Sequence, residues 1–197
     1  MLYRHYLKRL FDFMIALAGL IILSPLLLIL WIGLSIANKG AGAFFIQQRT
    51  GLHGVPFKLF KFKSMTDEKD ENGKLLPDDK RLTKTGEFIR RFKIDELPQL
   101  INILKGDMSF VGPRPGLISM LDELNEDGKV RLQVRPGLTG LAQINGNIYL
   151  SWEERWIYDK KYVENISFLL DLKILCKTFL IIIFGEKKFL KNNGNEL

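Results

Sequence analysis

At 197 residues, the chain has room for one domain once an apolar N-terminal run is set aside. With 29 Lys and Arg against 22 Asp and Glu, the formal charge of +7 suits anionic lipid headgroups or phosphorylated substrates. Nucleic acid is set aside, because no nucleic-acid-binding motif is present and the basic residues lie beside membrane-like stretches. The single Cys176 excludes an internal disulfide, and His5 and His53 are too few for a histidine-rich zinc site. A metal would then be a hard ion on carboxylate and phosphate oxygens, which points to magnesium.

Residues 13–38 carry no charge and have Ser24-Pro25 at their middle. The run is too long for the ~7–15-residue apolar core of a cleaved signal peptide. It is long enough to cross a bilayer, which takes roughly 20 apolar residues. Pro25 cannot donate a backbone hydrogen bond and presses on the carbonyl of Ile21, so a helix here is expected to kink; the Ser24 hydroxyl is at hand for the freed carbonyl. Arg4, Lys8 and Arg9 precede the run, and Lys39 and Arg49 follow it. Basic residues at both ends favour a re-entrant helix that enters and leaves by the cytoplasmic face, with a simple span as the alternative.

Phe44 to Gln48 reads as extended, Gly51 to Gly54 as a turn, and Phe57 to Lys63 as a returning strand with Lys61 and Lys63 on one face. Those lysines are either a solvated face or a phosphate-facing pair. Thr66 to Lys80 is a polar loop with turns at Asn72-Gly73 and Pro77-Asp78, and its acidic run is assigned no chemistry. Lys84 to Phe92 is a short basic helix. A second helix, with Asp95 at its N-cap and Gly106 at its end, is expected to bury Leu97, Leu100, Ile101 and Leu104. Gly112-Pro113-Arg114-Pro115 and Arg135 to Gly140 read as rigid and irregular, with a helix between them at 117–127. Ser151-Trp152-Glu153-Glu154 is a capping box that opens a helix to about Val163. Ser167 to Phe184 is a second apolar helix. Asp171, Lys173 and Lys177 interrupt it, which argues for packing on the domain or lying in the membrane interface.

Asp95-Glu96 carries the candidate chemistry. Helix capping alone accounts for an Asp and a Glu at this place. Yet Arg90, Arg91 and Lys93 lie just before the pair, where they keep carboxylates ionised and attract phosphates. A carboxylate can attack phosphorus to form an acyl phosphate, and its neighbour can hold magnesium or take a proton.

Longer motifs sharpen this. They are Lys61-Phe62-Lys63-Ser64-Met65, Leu76-Pro77-Asp78-Asp79, Ile94-Asp95-Glu96-Leu97-Pro98-Gln99-Leu100, Leu104 to Pro115, and Arg135 to Gln143. With the Ser24-Pro25 helix and Ser151-Trp152, they make nearly the whole chain resemble a small monotopic phosphoglycosyl transferase, PglC-type, of the bacterial sugar transferase superfamily. The resemblance implies an α+β, mostly helical fold: an N-terminal re-entrant membrane helix (1–40), and an interfacial α/β domain with a small hairpin and amphipathic helices (41–190). A polar tail (191–197) would follow.

The resemblance also implies a ping-pong reaction. Asp95 attacks the β-phosphate of a UDP-sugar and releases UMP; polyprenyl (undecaprenyl) phosphate then takes the sugar-phosphate. Glu96 matches the partner carboxylate, with Mg2+ on Asp95 and Glu96. Lys61, Arg90, Arg114 and Asp159 match positions near the diphosphate, metal or sugar. The sugar implied is N-acetylated, and the place is the cytoplasmic face of the bacterial inner membrane, among anionic lipids and downstream glycosyltransferases. Asn147 stands where many relatives carry arginine, and the resemblance implies a minimal catalytic unit without the extra transmembrane helices of longer relatives. Two other classes remain open on the residues alone: a basic membrane scaffold without turnover, and a hydrolase that cleaves UDP-sugars with water.

The re-entrant reading is testable by labelling. With Cys176 replaced by serine, single cysteines near residue 3 and near residue 40 are both expected to react with an impermeant maleimide from the cytoplasmic side. Labelling of the first only from outside contradicts it.

Overall fold

The uncharged run forms one 30-residue helix, α1 (Lys8–Ala37), preceded by a π-helical turn at Tyr3–Leu7. A computed structural model describes residues 2–185, so the expected polar tail at 191–197 and the end of the expected catalytic segment lie outside the described residues. Pro25 lies inside α1, and Ser24 Oγ donates to the Ile21 carbonyl oxygen at 2.8 Å, filling the acceptor that proline leaves open. The helix is long and apolar enough to cross a membrane, and its outer face is bare, with Ile22 74% and Ile36 76% exposed.

The inner face of α1 is held along its length. Ala16, Leu20 and Leu23 pack with Leu59, Leu100 and Ile103, and Leu27, Leu30 and Leu34 pack with Phe62 and Ile89. Steps of three and four residues keep this stripe on one side. Polar groups fasten both ends. Arg9 donates to the carbonyl oxygens of Ile103 and Leu104 at 2.6 and 2.8 Å, and Asp12 accepts from the Phe110 N–H at 3.1 Å. Beyond the other end, Asn38 donates to the carbonyl oxygens of Gly42 and Lys63 at 2.9 and 2.8 Å.

The expected hairpin is present as β1 (Phe44–Thr50) and β2 (Pro56–Phe62), antiparallel with Phe44 opposite Phe62 and Thr50 opposite Pro56. A short helix, α2 (Asp78–Arg81), leads to α3 (Lys84–Arg91), capped by the Thr83 hydroxyl on the Gly86 N–H at 2.9 Å. The next helix, α4 (Gln99–Lys105), is shorter than expected and ends at Gly106 in the left-handed region (φ 92°). Asp95 is not its N-cap. Lys93 turns the chain with φ 56° and ψ 20°, and Asp95 falls in a separate 3-10 turn, Ile94–Glu96, with Pro98 as the residue before α4. The buried side of α4 also differs, because Asn102 is drawn inward. It accepts from the Phe60 N–H at 3.1 Å and donates to the Lys58 carbonyl at 2.7 Å, which rotates Ile101 to 40% exposure.

A second sheet adjoins the stretches read as irregular: β3 (Ser109–Val111), just before the first, and β4 (Gly137–Thr139), inside the second, run parallel, with Ser109 opposite Gly137. A Cβ on Gly137 would collide with the backbone of Gly112, so this crossing requires glycine. The helix expected at 117–127 is replaced by a 3-10 turn at Ile118–Met120 and by α5 (Glu126–Val130), which Asn125 caps. After α6 (Leu141–Ile144), the capping box is realised at α7 (Trp152–Glu164): Ser151 Oγ accepts from the Glu154 N–H, and Glu154 accepts from the Ser151 N–H.

Helix α8 (Phe168–Phe184) lies against the domain through Ile174 and Ile181. Its Asp171 is 4% exposed and ties three elements together. Lys8 and Tyr3 donate to Oδ2 at 2.5 and 2.6 Å, and Tyr162 donates to Oδ1 at 2.8 Å. The whole is a mostly helical α+β arrangement with two small sheets.

Asp171→Ala leaves Lys8 buried without its carboxylate, and breaking such a pair costs about 3 kcal/mol or more. Glu126→Ala, which removes an exposed pair with Lys129, costs under about 1 kcal/mol. Thermal unfolding of the two variants in detergent is expected to show that order.

Candidate active site

Asp95 and Glu96 lie side by side on the 3-10 turn between α3 and α4, each 8% exposed. Their surroundings are unequal. Glu96 Oε1 accepts from Lys61 Nζ at 2.9 Å and from an Arg114 guanidinium nitrogen at 3.1 Å. Lys61 comes from β2, and Arg114 from the segment after β3, so two separate elements grip one carboxylate oxygen. Burial opposes the charge on Glu96, but Arg114 and Lys61 outweigh it and hold the group ionised down to about 2.

Asp95 has the opposite balance. Its Oδ1 is buried with no hydrogen-bond partner. Burial and the adjacent Glu96 charge push its pKa up from the usual aspartate value, and Lys61, Lys93 and Arg90 offset only part of this. Glu96 is therefore a fixed charge, and Asp95 is the carboxylate with an unmet demand for a positive or electrophilic partner.

The pair forms part of the wall of a cavity of about 550 Å³. Arg49, Lys61, Lys63, Arg81, Arg90, Lys93 and Arg114 all line it, against Asp67 and Asp78 besides the pair itself. Arg90 is aimed by a bond from its Nε to Ser64 Oγ at 2.7 Å. Lys63 pairs with Asp67 at 2.5 Å, and Arg81 with Asp78. The surplus of cations fits a ligand with several phosphate charges.

The structure thus brings Asp95, Glu96, Lys61, Arg90 and Arg114 into one cavity, but not Asp159. Asp159 faces inward from α7, is 2% exposed, and lies 3.3 Å from Arg131 Nε. With Arg49, Arg114 and Arg155 it lines a smaller cavity of about 90 Å³. Burial raises its pKa to about 6 although Arg131 and Arg155 pull the other way. Arg131 also donates to the Arg114 carbonyl oxygen, so Asp159 touches the dyad only through Arg131 and the Arg114 backbone. Ser24 and Pro25 stay in α1, outside the lining of the dyad cavity.

Sequence reasoning passed over Arg49, Ser64 and Arg131. Phe45, Gln47 and Arg49 line the cavity at every second position of β1, the period of two that was applied to Lys61 and Lys63 but not to this strand. Arg131 carries no sequence signal beyond its charge.

Among the described residues no cluster of three or more metal-ligating side chains exists. A magnesium ion needs fewer, since it is commonly held by one or two carboxylates and completed by substrate phosphates. The unpaired Asp95 oxygen and the second oxygen of Glu96 fit that manner of binding; an all-protein cage does not fit.

The family described as bacterial sugar transferase matches residues 3–185 of the chain. A Bacillus subtilis protein named as an uncharacterized sugar transferase, EpsL, is 51% identical over 180 residues, 91% of this chain and 89% of that protein. The undecaprenyl-phosphate galactose phosphotransferase of Salmonella typhimurium is 37% identical over 195 residues, covering 90% of this chain and 40% of the relative. The UDP-glucose:undecaprenyl-phosphate glucose-1-phosphate transferase of Klebsiella pneumoniae is 40% identical over 188 residues, again 90% of this chain and 40% of the relative. The chain therefore spans about two fifths of the length of these two enzymes.

The charge division is open to direct titration. Carboxyl ¹³C NMR, assigned with Asp95→Asn and Glu96→Gln, is expected to show Glu96 still ionised at pH 4 and Asp95 titrating above the ordinary aspartate range. Glu96→Gln removes the neighbouring negative charge and moves the Asp95 titration to lower pH, whereas Lys61→Met moves it higher. The reverse order contradicts the assignment.

Proposed function

The chain belongs to the bacterial sugar transferase family, and from that membership we propose that it moves a sugar-1-phosphate from a UDP-sugar to polyprenyl phosphate, releasing UMP, through a covalent intermediate on Asp95. One observation carries this reading: a buried, unpaired aspartate oxygen beside a charge-locked glutamate, in a cavity rich in Arg and Lys.

In the first step an Asp95 carboxylate oxygen attacks the β-phosphorus. The new bond is an acyl phosphate, and the bond from that phosphorus to the bridging oxygen breaks, with its electron pair leaving on UMP. In the second step a phosphate oxygen of the polyprenyl phosphate attacks the same phosphorus, and the Asp95 carboxylate leaves. Desolvation of Asp95 suits it to attack, because the ion has few competing hydrogen bonds. Arg90, Arg114 and Lys61 neutralise the diphosphate and the charge that develops on it. Glu96 keeps Lys61 and Arg114 beside the reacting phosphate. Magnesium, held by Asp95 and Glu96 with diphosphate oxygens, would supply further charge neutralisation.

The acceptor class follows from the relatives in Salmonella and Klebsiella, whose names specify undecaprenyl phosphate, galactose and glucose. An N-acetylated hexose is the alternative donor to test beside them. Helix α1 supports a monotopic, re-entrant placement at the cytoplasmic face of a bacterial inner membrane. What supports this reading is that both its ends are fastened to the same domain, which favours both on one side of the bilayer. In this reading the cations flanking α1 meet anionic lipid headgroups, and the lipid-linked product passes to glycosyltransferases that extend it.

Purified full-length protein is expected to release UMP from at least one of UDP-glucose, UDP-galactose or their N-acetylated forms when undecaprenyl phosphate and magnesium are present. Asp95→Asn lowers that rate by on the order of 10³-fold or more, the scale seen when a covalent nucleophile is removed. Free sugar-1-phosphate without any lipid-linked product would mark a hydrolase. Unchanged turnover by Asp95→Asn would sink the proposed nucleophile.

A further inference from the structure

A second cavity, of about 260 Å³, opens on the other side of the dyad, between the 3-10 turn and α8. Its wall is apolar, formed by Phe92, Leu97, Phe110, Leu175 and Ile182 among others. Three polar residues, Lys93, Glu96 and Arg114, line this cavity and the cationic one alike. The Arg114 side chain is 47% exposed, so its guanidinium is accessible while one nitrogen holds Glu96. Gln143 also lines the groove, and both polar atoms of its amide are buried without hydrogen-bond partners. Beside the groove, Phe179 of α8 is 64% exposed, so apolar surface continues from it.

A groove that joins Lys93, Arg114 and an unsatisfied amide to a lining that is mostly hydrocarbon matches an anionic head on an apolar tail. We infer that this groove is the acceptor subsite. The phosphate of the polyprenyl phosphate lies by Arg114 and Lys93, and its first isoprene units lie between the turn and α8. The inference rests on the transfer reaction proposed above. A nucleotide-sugar has no apolar tail to fill the groove, whereas the Lys and Arg side chains of the cationic cavity suit its diphosphate. Donor and acceptor thus reach the dyad from separate cavities that meet at Glu96 and Arg114.

The test fills the groove without touching the dyad. Ile182→Trp and Leu175→Trp project a bulky ring into it, and Ile183→Trp places the same ring on the exposed face of α8 as a control. The readouts are the KM for undecaprenyl phosphate, the KM for the UDP-sugar, and acceptor-independent exchange of radiolabelled UMP into that UDP-sugar. The groove variants are expected to raise the acceptor KM about tenfold or more, with donor KM and UMP exchange within twofold of wild type; Ile183→Trp changes none of them. An unchanged acceptor KM in both groove variants overturns the inference, as does equal loss of exchange and transfer. A benzophenone-tagged prenyl phosphate separates this from the reaction itself. Cross-linking to α8 or Phe92 in a protein that releases no UMP would support the groove and count against the reaction. Cross-linking confined to the outer face of α1 would count against the groove.

Discussion

Two neighbouring carboxylates buried at 8% exposure repel each other, and the clamp of Lys61 and Arg114 on Glu96 is what makes that arrangement stable. Like charges about 4 Å apart cost roughly 4 kcal/mol at an effective dielectric constant near 20, comparable with the gain from one well-placed cation. Both cations bond to the same Glu96 oxygen, so their hydrogen bonds go to one partner. Asp95 keeps a buried oxygen with nothing to bond. The inequality separates an unpaired carboxylate oxygen from a charge-locked one, although both side chains carry the same functional group.

Much of the surrounding fold serves to deliver those two cations. Lys61 is placed by β2, which Asn102 ties to α4 through the main chain of Lys58 and Phe60. Arg114 is placed by the chain after β3, where Arg131, paired with Asp159, holds the Arg114 carbonyl. Asp159 thus reaches Arg114 by way of Arg131. Helix α1 forms the floor beneath both, packing Leu23 and Leu27 onto cores that contain Leu59 and Phe62 of the same strand. The long apolar helix meets the charged site through β2, through α4 and through Ile94 of the dyad's own turn.

The parts legible in the sequence were those set by local chemistry. The Ser24 bond to Ile21, the hairpin, the Ser151 capping box and the Gly106 stop each depend on a few adjacent residues, and each appears where those residues are. Asp95 was misplaced as a helix cap because Lys93 enters the left-handed region, which nothing in a lysine announces. The rotation of α4 was hidden because it comes from Asn102 bonding to a strand more than 40 residues earlier. The parallel β3–β4 pair escaped for the same reason: each strand has three residues, too few to show a period, and the pairing is non-local. Proximity of Arg90 to Asp95 is legible from the chain, because Arg90 lies just before the pair, whereas that of Lys61 and Arg114 comes from family resemblance, since their spacing along the chain carries no such information.

The proposed transfer requires a covalent bond to one side chain. Wild-type protein incubated with its UDP-sugar and no acceptor, then quenched and measured by intact and peptide mass spectrometry, is predicted to gain one sugar-phosphate, carried by Asp95 and lost when undecaprenyl phosphate is added. A sugar-phosphate found on Glu96, or stoichiometric UMP release with no adduct on the protein, would contradict it.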